Sequence, residues 1–226
     1  MRRGHDQVTQ QGRTAIQISA VEDTRSEVRD LAAPVPMADV TGLSAEIAAA
    51  AAAGPAAAPI PTFAAAALCS APMTVPAEWI DYNGHMNVSY YTMAFDKAAD
   101  QIYDGVLLIG EAYARVQRMG PYVIQQHIHY LGELLRGDQF ACAFRILDWD
   151  DKRLHTWSDL IRVSDGRIAA SAEALVMNVD LEERRSAPYP DWARARIAAL
   201  AAAQADLPLP VRVGAGIAIR RRRPMR

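Results

Sequence analysis

The hydrophobic positions fall into one long helical period followed by a series of alternating runs. In VSYYTMAFDKAADQIYD, residues 88–104, Val88, Tyr91, Phe95, Ala98 or Ala99 and Ile102 recur at helical spacing, whereas Asp96, Lys97, Asp100 and Asp104 fall on the other side. The pattern predicts a helix buried along one face, with Gly105 supplying its stop. Next come PYVIQQHIHYL (121–131), DQFACAFRILDWD (138–150), KRLHTWSDLIRVS (152–164) and GRIAASAEALVMNVD (166–180), which read as strands. They are separated by GELLRGD, by Asp150-Asp151 and by Ser164-Asp165-Gly166, and the last two connections are of hairpin length. The sheet should therefore be antiparallel. Residues 190–204 read as a short closing helix. Strand, long helix and then four strands predict an α+β domain in which one helix lies on a curved antiparallel sheet.

The N-terminal third has a different texture. Residues 1–44 are polar and of mixed charge, and residues 45–72 are mostly alanine interrupted by Pro55, Pro59 and Pro61. Neither stretch offers the large side chains that a core needs, so residues 1–70 are expected to be a disordered Ala/Pro-rich extension or the product of too early a start, with Met73 a late alternative. Residues 71–205 then form the domain, and residues 206–226 a loose basic tail containing RRRRP at 220–224. Ile47 to Ala77 carries no charge, but it is alanine broken by proline rather than a leucine-rich span, which argues against a membrane anchor or an export signal.

Composition narrows the function classes. The chain has 226 residues, 51% of them hydrophobic, enough for one full domain. A formal charge of -2 gives no global attraction to nucleic acid or to anionic membranes. The two cysteines, Cys69 and Cys142, form neither a disulfide framework nor a metal-type spacing, and a reducing cytoplasm is expected. Cys142 alternates with Phe140 and Phe144 on an apolar face, which predicts burial rather than nucleophilic chemistry.

The chemistry concentrates in EWIDYNGHMNVSYY, where Asp81, His85 and Asn87 precede the long helix. Asp81 and Asn83 before Gly84 shape a turn, and Asn87 fits an N-cap. The same placement also sets an ionised carboxylate and an imidazole titrating near neutrality beside free helix N–H groups, which stabilise an oxyanion. His127 and His129 alternate with Ile128 and so share one strand face with Gln125 and Leu131, without a carboxylate or cysteine to complete a metal set. His155 reads as a sheet-surface or subunit-contact residue.

DYNGHMN at the head of the helix, the later HIHYLGELLRGD, and DDKRLHTW followed by VDLEERRSAPYP resemble hotdog-fold acyl-CoA thioesterases of the 4-hydroxybenzoyl-CoA type. Within that group they are most similar to the betainyl-CoA thioesterases of carnitine breakdown. The resemblance covers about residues 73–220 and departs at Gln125, where relatives often carry an acidic residue. It implies a hotdog fold, a curved antiparallel sheet wrapped around one long helix, and hydrolysis of a small acyl-CoA, with betainyl-CoA as candidate, without cofactor. Asp81 would act as nucleophile or base, with His85 and Asn87 beside it and the backbone at Val88, seven residues after the aspartate, as oxyanion donor; Ser89 offers a second amide. Lys152 and Arg153 are candidate contacts to CoA phosphates, and Trp79, Tyr82, Tyr90 and Tyr91 are candidate aromatic partners for a cationic acyl group. Hotdog dimers share their active sites, so His127 and His129 would complete the pocket across the seam of a homodimer or homotetramer. Other hotdog enzymes, such as acyl-carrier-protein thioesterases or hydratases, and a noncatalytic acyl-CoA-binding protein are the alternatives.

Overall fold

The computed structural model describes Pro34–Val35 and residues 66–217. Eight strands form one sheet: β1 (Pro34–Val35), β2 (Leu68–Ser70), β3 (Met73–Thr74), β4 (Met119–Tyr130), β5 (Gln139–Trp149), β6 (Arg153–Arg162), β7 (Ile168–Asp180) and β8 (Arg185–Ser186). The helices are α1 (Val88–Ile102), α2 (Glu111–Gln117) and α3 (Asp191–Ala203). Strand order is β1-β2-β5-β6-β7-β4, with β3 added to β5 and β8 to β7. All pairings are antiparallel except that of β1 with β2.

The four long strands and both expected helices appear with ends within two residues of the sequence reading. Both β2 and β1 lie inside the stretch expected to be disordered. Leu68 and Cys69 pair with Phe144 and Ala143, so the folded unit begins before residue 71. Residues 1–33 and 36–65, and the basic RRRRP, fall outside the described residues.

Register shifts at Val123/Gln125, Ile146/Asp148 and Leu160/Ile161 bend the long strands, and the curled sheet closes over α1. Tyr91, Ala94, Phe95 and Ala98 on α1 pack against Phe140, Cys142, Leu160, Ala170 and Ala172. A second group joins Ile102, Tyr113, Phe144, Ile146 and Leu154 to Trp192, Ile197 and Leu200 of α3. Burial pushes the Cys142 thiol far above its usual range, as its apolar neighbours foretold.

Two details of α1 differ from the periodicity. Val88 is 56% exposed, because the first helical position projects past the edge of the core. Gly105 does not stop the chain: a π turn, Tyr103–Leu107, continues α1, and Leu108 in the left-handed region (φ 59°) ends it. The following VLLIG run is buried on all sides, so no amphipathic period marked this turn.

Candidate active site

The loop before α1 is closed on itself. The Asp81 N–H donates to the His85 carbonyl at 3.1 Å, the Gly84 N–H donates to the Asp81 carbonyl at 3.0 Å, and Ile80 bridges Met86. Gly84 (φ 84°) takes the left-handed turn that other residues resist. Two clamps seat the loop: the Met86 N–H donates to the Leu134 carbonyl at 2.8 Å, and the Asn87 N–H to that of Trp79 at 2.8 Å.

Both Asp81 oxygens are held. Oδ1 accepts from the Asn83 N–H at 2.8 Å, and Oδ2 from Asn87 Nδ2 at 3.0 Å. The Asn83 amide first, and then the Asn87 amide and the nearby His85 imidazole, hold the carboxyl below the usual aspartate range against slight desolvation. His85 directs Nδ1 toward the Met86 carbonyl at 3.1 Å.

Asn87 is the N-cap of α1. Its Oδ1 accepts from the Ser89 N–H at 3.0 Å and also from the Ser89 hydroxyl. The cap occupies the Ser89 amide, so of the two backbone donors expected at the helix head only the Val88 N–H stays open among the described residues. A held carboxylate and an open helix-terminal N–H thus stand at one corner.

The aromatic candidates separate. Trp79 and Tyr90 stack face to face, centroids 5.2 Å apart, and occupy one another's faces. Tyr91 is buried, not lining open space, and its hydroxyl donates to the Gly132 carbonyl at 3.2 Å. Tyr82 is exposed at the loop tip.

His127 and His129 do not join Asp81 within the protomer. Ile128 packs toward α1, so its two neighbours project from the outer face of the sheet, their rings 4.4 Å apart. There His127 is in register with Glu173, whose carboxylate bonds His155 Nε2 at 2.8 Å and accepts from the Gly214 N–H at 2.8 Å. Gln125 shares this face, so the missing acidic residue leaves the Asp81 corner of the same protomer unaltered. A cavity of about 560 Å³ opens here, lined by Gln125, His127, Arg153, His155 and Glu173. Within it Glu173 engages His155 and Asp150 engages Arg153, and no helix terminus is among its described lining residues.

Lys152 and Arg153 are also remote. They occupy the β5–β6 hairpin, whereas the Asp81 loop lies near Gln139, at the other end of β5, roughly 30 Å away at ~3.3 Å per residue. Arg153 is bound to Asp150, at 2.8 Å through Nε and 2.5 Å through its terminal nitrogen. Among the described residues no group of three or more His, Cys, Asp or Glu side chains is arranged to hold a metal, and no helix is long and apolar enough to cross a membrane.

The sequence reading missed the segment 130–134. Leu134 holds the loop, Gly132 receives Tyr91, and Tyr130 packs edge-on against Tyr91 at 5.2 Å. GELLRGD, part of the HIHYLGELLRGD run that carries the resemblance, reads structurally as a connection and gives these residues no role.

A curled antiparallel sheet wrapped on one long helix defines a hotdog protein. The profile of the thioesterase-like superfamily matches residues 75–197, which contain the Asp81 loop, α1 and β4 to β7, and the chain belongs to this family. It is 31% identical over 124 residues to a betainyl-CoA thioesterase of Pseudomonas aeruginosa, covering 55% of this chain and 77% of that protein. It is 30% identical over 128 residues to an L-carnitine dehydrogenase/betainyl-CoA thioesterase of Rhizobium meliloti, covering 56% of this chain but only 25% of that protein. Among solved structures, a Staphylococcus aureus protein in complex with CoA is similar at a TM-score of 0.61 and 30% identity, covering 66% of this chain and 94% of that one. A Pseudomonas putida KT2440 protein assigned as a thioesterase is similar at a TM-score of 0.59 and 29% identity, covering 69% and 98%.

Proposed function

We propose that the chain hydrolyses a small acyl-CoA thioester to the acid and free CoA, with betainyl-CoA as the substrate the relatives suggest. The observation that carries this reading is the corner itself: an Asp81 carboxylate fixed by Asn83 and Asn87, beside the open Val88 N–H of the capped helix.

Asp81 is ionised at neutral pH, and its lowered pKa makes it a poor proton acceptor. Direct attack is the better use. An Asp81 oxygen adds to the thioester carbonyl carbon, the Val88 N–H stabilises the oxyanion, and collapse expels CoA thiolate and leaves an Asp81 acyl anhydride. The thiolate takes a proton from water. A second water then cleaves the anhydride, regenerating the carboxylate and releasing the acid, and His85 takes that water's proton. The proposed chemistry uses no metal or redox group.

The proposed unit is a homodimer in the cytoplasm. β4 is the last strand of the sheet, and it exposes Tyr122 (43%), Val123 (53%) and Ile124 (49%) beside unpaired backbone groups. A second copy joined antiparallel along β4 would bring its own Met119 end beside this protomer's Asp81 end. In that arrangement the partner's hairpin cations approach the CoA that this site binds, whereas its outer-face histidines lie toward this protomer's own Met119 end.

Single turnover in oxygen-18 water tests the chemistry. Label entering Asp81 supports the anhydride, as does an acyl-Asp81 adduct trapped by hydroxylamine, whereas label only in the acid with no trapped adduct assigns Asp81 to base catalysis. Absence of free thiol from every acyl-CoA offered removes the hydrolase reading.

A further inference from the structure

Resting on the thioesterase reading above, we infer that Glu133, with the ring of Tyr130, forms the subsite that receives a cationic acyl group and sets this site's selectivity for it. In a betaine-type ester the ammonium nitrogen is one methylene from the carbonyl carbon. Its partner must therefore lie on a segment that touches the Asp81 loop. Two segments do so, through the Trp79 and Leu134 carbonyls. The first offers no free aromatic face, because Trp79 is buried and stacked on Tyr90. The second offers both chemistries that hold a quaternary ammonium. Tyr130 is 47% exposed, on the inner-face side of β4 opposite Ala170, and its ring is braced by Tyr91 at 86°. Glu133 is exposed and directly precedes Leu134, whose carbonyl clamps Met86.

The carboxylate is available. Arg162, the cation anchored to this segment, uses its guanidinium on Asp165 at 2.6 Å, on Asp138 at 3.8 Å and on the Glu133 carbonyl at 3.2 Å. The Glu133 carboxylate enters no ion pair among the described residues. It also lies close enough to the Tyr91 phenol to help raise its pKa, after the larger effect of burial. A negative charge and an exposed aromatic face, both within electrostatic reach of the Tyr91 phenol, therefore stand on the segment that clamps the Asp81 loop. Glu133 also explains how a cationic substrate is served although β4 carries Gln125 rather than an acid, since Gln125 is on the outer face.

The test compares betainyl-CoA with its neutral isostere, 3,3-dimethylbutanoyl-CoA, reading the ratio of their kcat/KM values. In the full chain the ratio should favour the cationic ester and fall as salt is raised. Glu133→Gln should lower the ratio about three- to tenfold and flatten its salt dependence, as expected for an exposed cation contact. Tyr130→Leu should lower it as well, whereas Tyr130→Phe should keep it. A ratio unmoved by Glu133→Gln, or a parent indifferent to the cation while it hydrolyses both esters, overturns the subsite and leaves the thioesterase reading standing. Failure of the parent to release thiol from either ester removes the subsite, and failure on every acyl-CoA offered removes the thioesterase reading with it.

Discussion

Asn87 holds Asp81 and the helix head with one side chain: Nδ2 donates to Asp81 Oδ2 at 3.0 Å while Oδ1 accepts from the Ser89 N–H at 3.0 Å. The amide thus couples the orientation of the carboxylate to the start of α1. Asn87→Ala should cost about 1 kcal/mol of stability, measured by denaturant unfolding, and lower kcat as well. Asn87→Ser keeps a capping oxygen but is too short to reach Asp81, so it should recover the stability and not the rate. Recovery of both by serine would show that the contact with Asp81 contributes nothing to turnover.

The acid limb of the pH–rate profile should follow from the same contacts. The folded pKa of Asp81 is depressed, so the active carboxylate is present above that pKa and activity is lost as pH falls through it. The limb should lie below the usual aspartate value of about 3.9. Removing a donor in Asn87→Ala should move it upward, and an unmoved limb would assign it to another group. Asp81→Asn should abolish the limb together with the chemistry, lowering kcat by at least the ~10²–10⁴-fold associated with a lost acid or base while the thermal transition is retained.

The helix and the four long strands were legible because each buries one face, and a one-sided face writes its period into the residues. Asp81 and the Asn87 cap were legible for a related reason, since turn and cap chemistry is local. The histidines show the limit. Alternation placed His127 and His129 on one face, but which face depends on the pairing of β4 with β7 and on the shift at Val123/Gln125, both nonlocal. Lys152 and Arg153 lie far from Asp81 within the protomer, and chain order does not reveal which end of a sheet a hairpin occupies. The contribution of Leu134 was hidden for a simpler reason: a backbone carbonyl carries no sequence signature.

The exposed edge of β4 predicts how the proposed dimer can be broken. In a two-fold antiparallel pairing a glutamate introduced at Ile124 meets its own copy close to the seam, and like charges on facing strands repel. Ile124→Glu should shift sedimentation from dimer to monomer and lower activity in parallel. A monomer that retains full turnover would show that each site is complete within one chain.

Residues 206–217 were expected to be loose, yet they are tied across the outer face of the sheet. Arg145 donates to the Pro208 carbonyl at 2.6 Å, and the Gly214 N–H donates to Glu173 at 2.8 Å. Arg145 on β5, Trp157 on β6, Glu173 on β7 and His127 on β4 lie in one register row, so this strap runs across the strands toward the β4 edge. Partial burial works to raise the Glu173 pKa, but the Gly214 amide and His155 outweigh it and hold the carboxyl below its usual range. The tie is therefore complete above the ordinary glutamate pKa and is lost as pH falls through the lower folded value. Glu173→Gln keeps an acceptor but removes the charge, whereas Glu173→Ala removes both. Amide hydrogen exchange over 208–216 at neutral pH should rise strongly in the alanine variant and only modestly in the glutamine variant, while exchange in α1 stays protected. Equal protection of the strap in all three proteins would place its attachment elsewhere, on Arg145 and Pro208 alone.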